Sequence, residues 1–250
     1  MVVLLQRVPT WGADKKWYEF PRTPFDIGWI PRRDVSAIAG QVDAHTAAVI
    51  VEPVQGVGGA FDMGQEFLAA LRVQCSAVGA LLIFDEVQIG VGRSGQPFAV
   101  NFYDVMPDMI TTAKALGNGF PCGALLMTPR VTEALKLEGL GTTFGGGPMA
   151  CAAIEAVIDA IEKEHLLDNV RRVSQYLRDT CTVGPVKGHQ GAGFLHGLIC
   201  SRPAKEIQKI LLERNILVGT SGDPHVVRLL PPYTLEEQHV DLLREALKDL

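Results

Sequence analysis

Two short apolar runs each deliver a charged residue that could do chemistry. Residues 81–84 (Leu-Leu-Ile-Phe) lead into Asp85 and Glu86; Met109 and Ile110 lead through Thr111, Thr112 and Ala113 to Lys114. Short apolar runs bounded by turn residues read as buried strands. Asp85 and Lys114 then stand at or just past the C-terminal ends of strands, the edge of an open α/β sheet where ligands bind. A buried lysine has its amine pKa lowered and can attack a carbonyl to form a Schiff base. A carboxylate beside a pyridine-type nitrogen keeps that nitrogen protonated, so that the ring can accept electrons. The same spacing also suits a surface ion pair, or two unrelated charges at strand ends. Residues 141–147 (Gly-Thr-Thr-Phe-Gly-Gly-Gly) form a second informative stretch. Its glycines let backbone amides turn toward an anion, the Thr143 hydroxyl adds a donor, and a helix starting at Pro148 favours negative charge at its N-terminus. That stretch suits a phosphate, and it also suits a plain connecting loop.

The elements that must position these groups follow from pattern. Residues 47–51 (Ala-Ala-Val-Ile-Val) read as a strand covered on both faces, and Pro53, which cannot donate to a sheet ladder, stops it just after Glu52. Residues 65–78 place Phe67, Leu68, Leu71, Cys75 and Val78 on one helical face. Strand, helix and strand in this order predict a βαβ unit with parallel strands and a right-handed crossover. A short helix is expected over 34–42. The GVGRSG stretch at 90–95 reads as a flexible turn; no helix with a packed apolar face follows, so it is not a dinucleotide fingerprint. A tight turn at 117–119, a strand at 123–127 and a helix capped by Thr128 and opened by Pro129 come next. Helices are predicted over 148–164 and 166–180, the first with a small surface of Ala152, Ala153, Ala156 and Ala160. The remainder reads as strand 194–200, helix 203–214, strands 216–219 and 226–230, and helix 235–247 with a capping box of Thr234 and Glu237. Residues 1–40, with Pro9, Pro21, Pro24 and Pro31, read as extended and loop-rich, their Trp11, Trp17 and Trp29 serving packing.

The chain has 250 residues, 47% hydrophobic and 20% charged, a globular composition with room for a sizeable core. A net charge of −5 gives no electrostatic case for nucleic acid or a membrane surface. No apolar run approaches the roughly 18 residues of a membrane span. The start has a short apolar patch with no basic region and no small-residue cleavage site, so it does not read as a signal peptide. The five cysteines, Cys75, Cys122, Cys151, Cys181 and Cys200, are scattered without metal-ligand spacing. They read as small buried thiols in a reducing, cytoplasmic setting, and no metal site is expected.

FDEVQIGVGRSG, then TTAKALGNGFPCGA, then GTTFGGGPMACAA resembles the class III pyridoxal-phosphate-dependent aminotransferases, above all the acetylornithine and ornithine aminotransferase group. The motifs stand in family order and at family spacing, and the match runs from about residue 42 to the C-terminus. The resemblance implies a fold-type I α/β protein with a mostly parallel large domain, here residues 1–165, and a small α+β C-terminal domain, 166–250. It implies pyridoxal 5′-phosphate (PLP) as cofactor. Lys114 would attach it and shuttle the substrate proton, Asp85 would hold the ring nitrogen protonated, Val87 would pack on the ring and Gln88 would hydrogen-bond its ring oxygen. Thr143 would bind the phosphate of the neighbouring subunit, which implies a homodimer with shared sites. The implied reaction moves an amino group from acetylornithine or a similar ω-amino donor to 2-oxoglutarate; 4-aminobutyrate, ornithine or lysine derivatives are alternative donors. Arg228, in HVVRLLPP, and Glu52, in VEPVQG, are the implied substrate residues.

Three departures qualify that resemblance. The family's chains are longer, and the part before this match supplies a main phosphate loop, a ring-stacking aromatic and a carboxylate-binding arginine. Nothing in residues 1–40 matches those motifs, so the chain reads as N-terminally truncated, a fragment not expected to hold PLP tightly by itself and open to a role as a catalytically incomplete subunit. Relatives commonly carry a glutamate after VEPxQG that pairs with the arginine at 228; here that place is Val57, which leaves Arg228 free for a carboxylate or for another partner. GGGP also replaces the usual GGNP.

Overall fold

The computed structural model describes residues 2–5, 26–136, 139 and 141–250. Its strands and helices run β1 (Val2–Leu5), β2 (Asp26–Gly28), α1 (Val35–Gln41), β3 (Thr46–Val51), β4 (Val54–Gln55), β5 (Phe61–Asp62), α2 (Gln65–Val78), β6 (Leu81–Asp85), α3 (Ala99–Tyr103) and β7 (Met109–Thr112). They continue with β8 (Ala124–Met127), α4 (Pro129–Thr132), α5 (Pro148–Lys163), α6 (Leu166–Thr180), β9 (Val186–Ala192), β10 (Leu195–Cys200), α7 (Ala204–Glu213), β11 (Val226–Leu229) and α8 (Glu237–Lys248).

The main sheet has six strands in the order β2-β1-β3-β6-β7-β8. All neighbours are parallel except β7 and β8. The βαβ unit forms as its pattern requires. α2 buries Phe67, Leu68, Leu71 and Cys75, each large side chain worth about 1.5–3 kcal/mol when removed from water. It ends at Gly79, whose φ of +81° makes the left-handed turn that a side chain would resist. The apolar runs of β3 and β6 pair Val51 with Phe84, so both strands end side by side. β7 continues the row, with Asp85 opposite Thr111. Three adjacent parallel strands thus present their C-terminal ends at one edge.

A second, antiparallel sheet has the order β11-β10-β9. Its core with α6, α7 and α8 includes Val173, Leu177, Leu198, Ile207, Leu211 and Val240. The first core is built from residues 30–110 and accepts Ala192 and Leu195 from β9 and β10. The turn end of the β9–β10 hairpin therefore joins the first core, against β5 and the loop before it. Gly197 makes this possible, since a Cβ there would come 2.5 Å from the carbonyl oxygen of Gly59.

Several expectations need correction. Residues 216–219 are not a strand; only Gly219 makes an isolated bridge, to Arg228. β9 has no apolar alternation to betray it, reading Val-Lys-Gly-His-Gln-Gly-Ala, and it forms because β10 supplies a full ladder of partners. α8 starts two residues later than expected. Its cap is Glu236, whose N–H donates to His239 Nδ1 at 3.1 Å, and Glu237 is the first helical residue rather than a back-reaching partner for Thr234. Thr128 precedes α4 but makes no side-chain cap bond. Cys75, Cys181 and Cys200 are buried as expected, whereas Cys122 is half-buried and Cys151 is exposed on α5. Trp29 is a surface residue rather than a core one. Within residues 1–40, β1 inserts in parallel between β2 and β3, so that segment is not all loop; Trp11, Trp17, Pro9, Pro21 and Pro24 lie outside the described residues. No helix among the described residues is long and apolar enough to cross a membrane.

Candidate active site

Glu52, Asp85 and Lys114 follow β3, β6 and β7 and meet at the shared sheet edge. Asp85 closes β6, and its Oδ1 accepts from the Val87 N–H at 3.1 Å and from Thr111 Oγ1 at 3.4 Å. These bonds fix the carboxylate through one oxygen, and no hydrogen bond among the described residues engages the other. Asp85 and Lys114 form no ion pair, so the surface-pair alternative is not realised.

Lys114 opens a single 3₁₀ turn, Lys114–Gly117, with φ at +46°. A non-glycine residue in the left-handed region stores strain of about 1–3 kcal/mol and persists only where its surroundings hold it. Its side chain is exposed, not buried as the lysine chemistry above expects, and it lines a cavity beside the sheet edge.

Glu52 is half-buried and accepts from the Gly56 N–H at 3.2 Å. Burial, and then the Asp85 carboxylate, push its pKa up to about 7, against the Gly56 N–H, Lys114 and Arg32. The proximity of Glu52, Asp85 and Lys114 is thus electrostatic as well as topological. Arg32 is a member that sequence reading missed. It stacks on the Phe61 ring at 4.7 Å, and its Nη2 lies where a Cβ at Gly58 would be, 2.6 Å away. Nothing in its local sequence marks it.

A cavity of about 820 Å³ adjoins this edge. Val87, Gln88, Lys114 and Ala115 line it from the main sheet, Ala160 and Ile161 from α5, and Val57, Arg228 and Tyr233 complete the wall. Gln88 rests against Gly56, where a Cβ would come 2.2 Å from its Oε1. Arg228 Nη1 donates to the Gly56 carbonyl at 3.1 Å; its Nε is buried without a partner. No carboxylate lies among the cavity-lining residues, and Arg93, Lys114 and Arg228 give it three cations. Thr143 is not on this cavity. It lies in the exposed turn before α5, followed by Gly146 at φ +67°.

The donor set fits a flat, aromatic, aldehyde-bearing cofactor. A carboxylate with an unengaged oxygen and an amine stand at one edge, an apolar Val87 lies beside a Gln88 amide, and Gly56 leaves the space that amide occupies. Among the described residues no cluster of His, Cys, Asp or Glu could hold a metal ion.

Comparison with solved structures places the whole arrangement in the fold of the fold-type I aminotransferases. An ornithine aminotransferase from Toxoplasma gondii, with PLP partly occupying its active site, superposes on 99% of this chain and 63% of its own, with a TM-score of 0.86 and 26% identity. The family model of the class III aminotransferases matches residues 29–250, and the chain belongs to that family. It is 41% identical over 241 residues to an acetylornithine aminotransferase of Streptomyces coelicolor, covering 94% of this chain and 60% of the relative. It is 37% identical over 232 residues to that of Methanocaldococcus jannaschii, covering 91% and 58%. The chain thus spans about 60% of the length of these curated relatives.

Proposed function

We propose that this chain carries the lysine-bearing half of a PLP-dependent aminotransferase site and, when that site is complete, passes an amino group from acetylornithine or a similar ω-amino donor to 2-oxoglutarate. The observation that supports this most is the convergence of Asp85 and Lys114 at the ends of neighbouring parallel strands, beside a cavity whose far wall is Arg228. PLP, when bound, supplies a carbonyl for amine exchange and a ring that takes up electrons. Lys114 would provide the amine that holds it and would move a proton at the substrate carbon, covalent and acid–base work by one residue. Asp85 would hold a proton on the ring nitrogen, Val87 would pack on the ring and Gln88 would donate to its oxygen. Arg228 would bind a substrate carboxylate through the guanidinium donors that the Gly56 carbonyl leaves free, and Glu52, with its raised pKa, stands by as a proton-holding neighbour.

The partner we propose is a second copy of this chain, whose Thr143 loop completes the phosphate site. In support, Phe144 is 91% exposed and Met149 73%, and α5 buries no residue within the chain. The two apolar clusters support a division into domains after residue 165. The cytoplasm, where thiols stay reduced, is the location we propose, and the five free cysteines support it.

Borohydride reduction after mixing with PLP tests the reading. A pyridoxyl group on the peptide bearing Lys114, lost in Lys114→Ala, is the expected result. Labelling scattered over other lysines, or none, would overturn it.

A further inference from the structure

The Gly90–Gly95 turn, a plain loop by sequence, is the seat on which the C-terminal unit rests. Gly92 has φ +95° and lies against Leu167 and Tyr233, where a Cβ would come 2.8 Å from Leu167 Cδ2. Gly95 has φ +84°, and a Cβ there would come 2.6 Å from Arg171 Cγ. From the other side, a Cβ on Gly193 would come 2.4 Å from the Arg93 carbonyl oxygen. That oxygen accepts from the Phe194 N–H at 2.8 Å, at the turn into β10. Gly193 therefore lets two backbones meet, while Gly92 and Gly95 leave room for the side chains of Leu167 and Arg171.

Arg93 is the side chain at the centre of this seat. Its Nη1 donates to the Pro231 carbonyl, and its guanidinium lies 4.6 Å from the centroid of the Tyr233 ring. The Tyr233 hydroxyl returns a bond of 2.7 Å to the Val91 carbonyl. Both side chains line the cavity that holds Lys114 and Arg228. Residues 230–234 follow directly on β11, the strand that carries Arg228. The loop after β4 holds it from the other side, through the Arg228–Gly56 bond and, just before β11, through the Gly222 N–H to the Val57 carbonyl at 2.8 Å.

We propose that Arg93 is a positioning residue: by bracing Pro231 and Tyr233 it fixes the strap after β11 and so sets where Arg228 stands relative to Lys114. The proposal rests on the reading of Arg228 as the carboxylate-binding residue. Without Arg93 the strap loses its tie at Pro231 and keeps the Tyr233 hydroxyl bond to Val91 and the Asn169 Nδ2 bonds to the Tyr233 and Leu235 carbonyls at 2.7 and 2.9 Å, so the stretch next to Arg228 loosens while the main sheet stays intact.

The test uses the full 250-residue chain in two arms. Hydrogen exchange is followed by mass spectrometry in the unaltered chain, Arg93→Ala, Arg93→Lys and Tyr233→Phe. In Arg93→Ala, protection across 193–200 and 226–233 should fall about tenfold, the loss of one charge-assisted contact, while that of α2 and β6 is unchanged. Arg93→Lys should recover part of it, since an ammonium can still sit over the ring, and Tyr233→Phe should show a smaller loss in the same segments. Unchanged protection in Arg93→Ala, or equal loss in α2 and β6, would overturn the proposal. In the second arm, glutarate is titrated calorimetrically as a dicarboxylate probe. Its affinity should fall about tenfold in Arg93→Ala with partial rescue by lysine; equal affinity in both would also overturn it. Failure of the unaltered chain to bind glutarate counts against the role of Arg228 instead, and the exchange arm still decides Arg93.

Discussion

Arg228 gives one of its guanidinium donors to the backbone carbonyl of Gly56, 3.1 Å away, at the residue just before Val57. Val57, an apolar side chain, stands on the same cavity wall as Arg228. Burial lowers the Arg228 pKa, and among the described residues no carboxylate forms an ion pair with it. A guanidinium in this state has donors to offer a carboxylate that enters.

Val57→Glu should close that opening. The new carboxylate would share the wall with Arg228 and compete with any carboxylate ligand. Glutarate affinity is expected to drop about tenfold, the effect of one competing charge-assisted pair. Isothermal titration of both proteins decides it, and equal affinity would show that Arg228 does not face the ligand.

Glu86 follows Asp85 but belongs to the fold rather than to the site. It is fully buried, and its Oε2 accepts from the Ala99 N–H at 2.6 Å, capping α3 in place of a serine or aspartate at the N-cap. Burial pushes its pKa up to about 7 from 4.5, against the helix N–H groups of Ala99 and Val100. A raised acid pKa contributes stability below 4.5 that is lost as pH rises through about 7. Glu86→Gln should therefore gain relative to the unaltered chain between pH 5 and pH 8, by about 2–3 kcal/mol. Urea denaturation at those two pH values reads the difference; a pH-independent difference would remove the burial explanation.

What could be read from the sequence was what local pattern controls. The βαβ unit, the helices 65–78, 148–164 and 166–180, and the delivery of Asp85 and Lys114 to one edge all follow from apolar runs and their breakers. β9 was hidden because its residues are mostly polar or glycine and its pairing is supplied from outside. Arg32 and the seating role of Gly92, Gly95 and Gly193 were hidden for the same reason: each is defined by a neighbour far away in sequence. The exposure of Lys114 was missed because strand-end position says nothing of what covers a side chain.

A histidine pair, His196 buried and His189 half-buried, gives the C-terminal unit an acid limit. His189 Nδ1 lies 2.8 Å from His196 Nε2, and Thr182 Oγ1 contacts His189 Nε2 at 3.0 Å. Burial, then the Arg178 guanidinium, lower both pKa values below 6.5, with His189 adding to the effect on His196. A depressed histidine pKa contributes stability above 6.5 that is lost as pH falls, because the unfolded chain takes protons that the folded one refuses. The urea midpoint of the unaltered chain should fall more between pH 7.5 and pH 5.5 than that of His196→Gln. Parallel pH profiles would exclude the pair as the cause.

The register that brings Asp85 and Lys114 together depends on Asp108, at the opposite end of the same strands. Its Oδ2 accepts from the Leu82 N–H at 2.8 Å and from Arg72 Nη1 at 2.7 Å, so it joins β6 to α2 just before β7 begins. Its Oδ1 accepts from Arg130 Nη1 at 3.3 Å, which adds α4. Burial acts to raise its pKa, but the Leu82 N–H, Arg72 and Arg130 outweigh it and hold the carboxyl below 3.8, so its contribution is present at neutral pH and lost only in strong acid. The partners differ in exposure, 20% for the Arg72 side chain and 50% for Arg130. That difference ranks the substitutions. Asp108→Ala leaves a buried N–H and a mostly buried guanidinium unpaired and should lower stability by about 3 kcal/mol. Arg130→Ala removes a half-exposed, longer pair and an exposed 2.9 Å bond from Nη2 to the Gly79 carbonyl, and should lower it by about 1 kcal/mol, less than Asp108→Ala. Chemical denaturation of the two variants measures this order. If Arg130→Ala is the more damaging, the strand register is held by α4 rather than by the bond between Asp108 and β6.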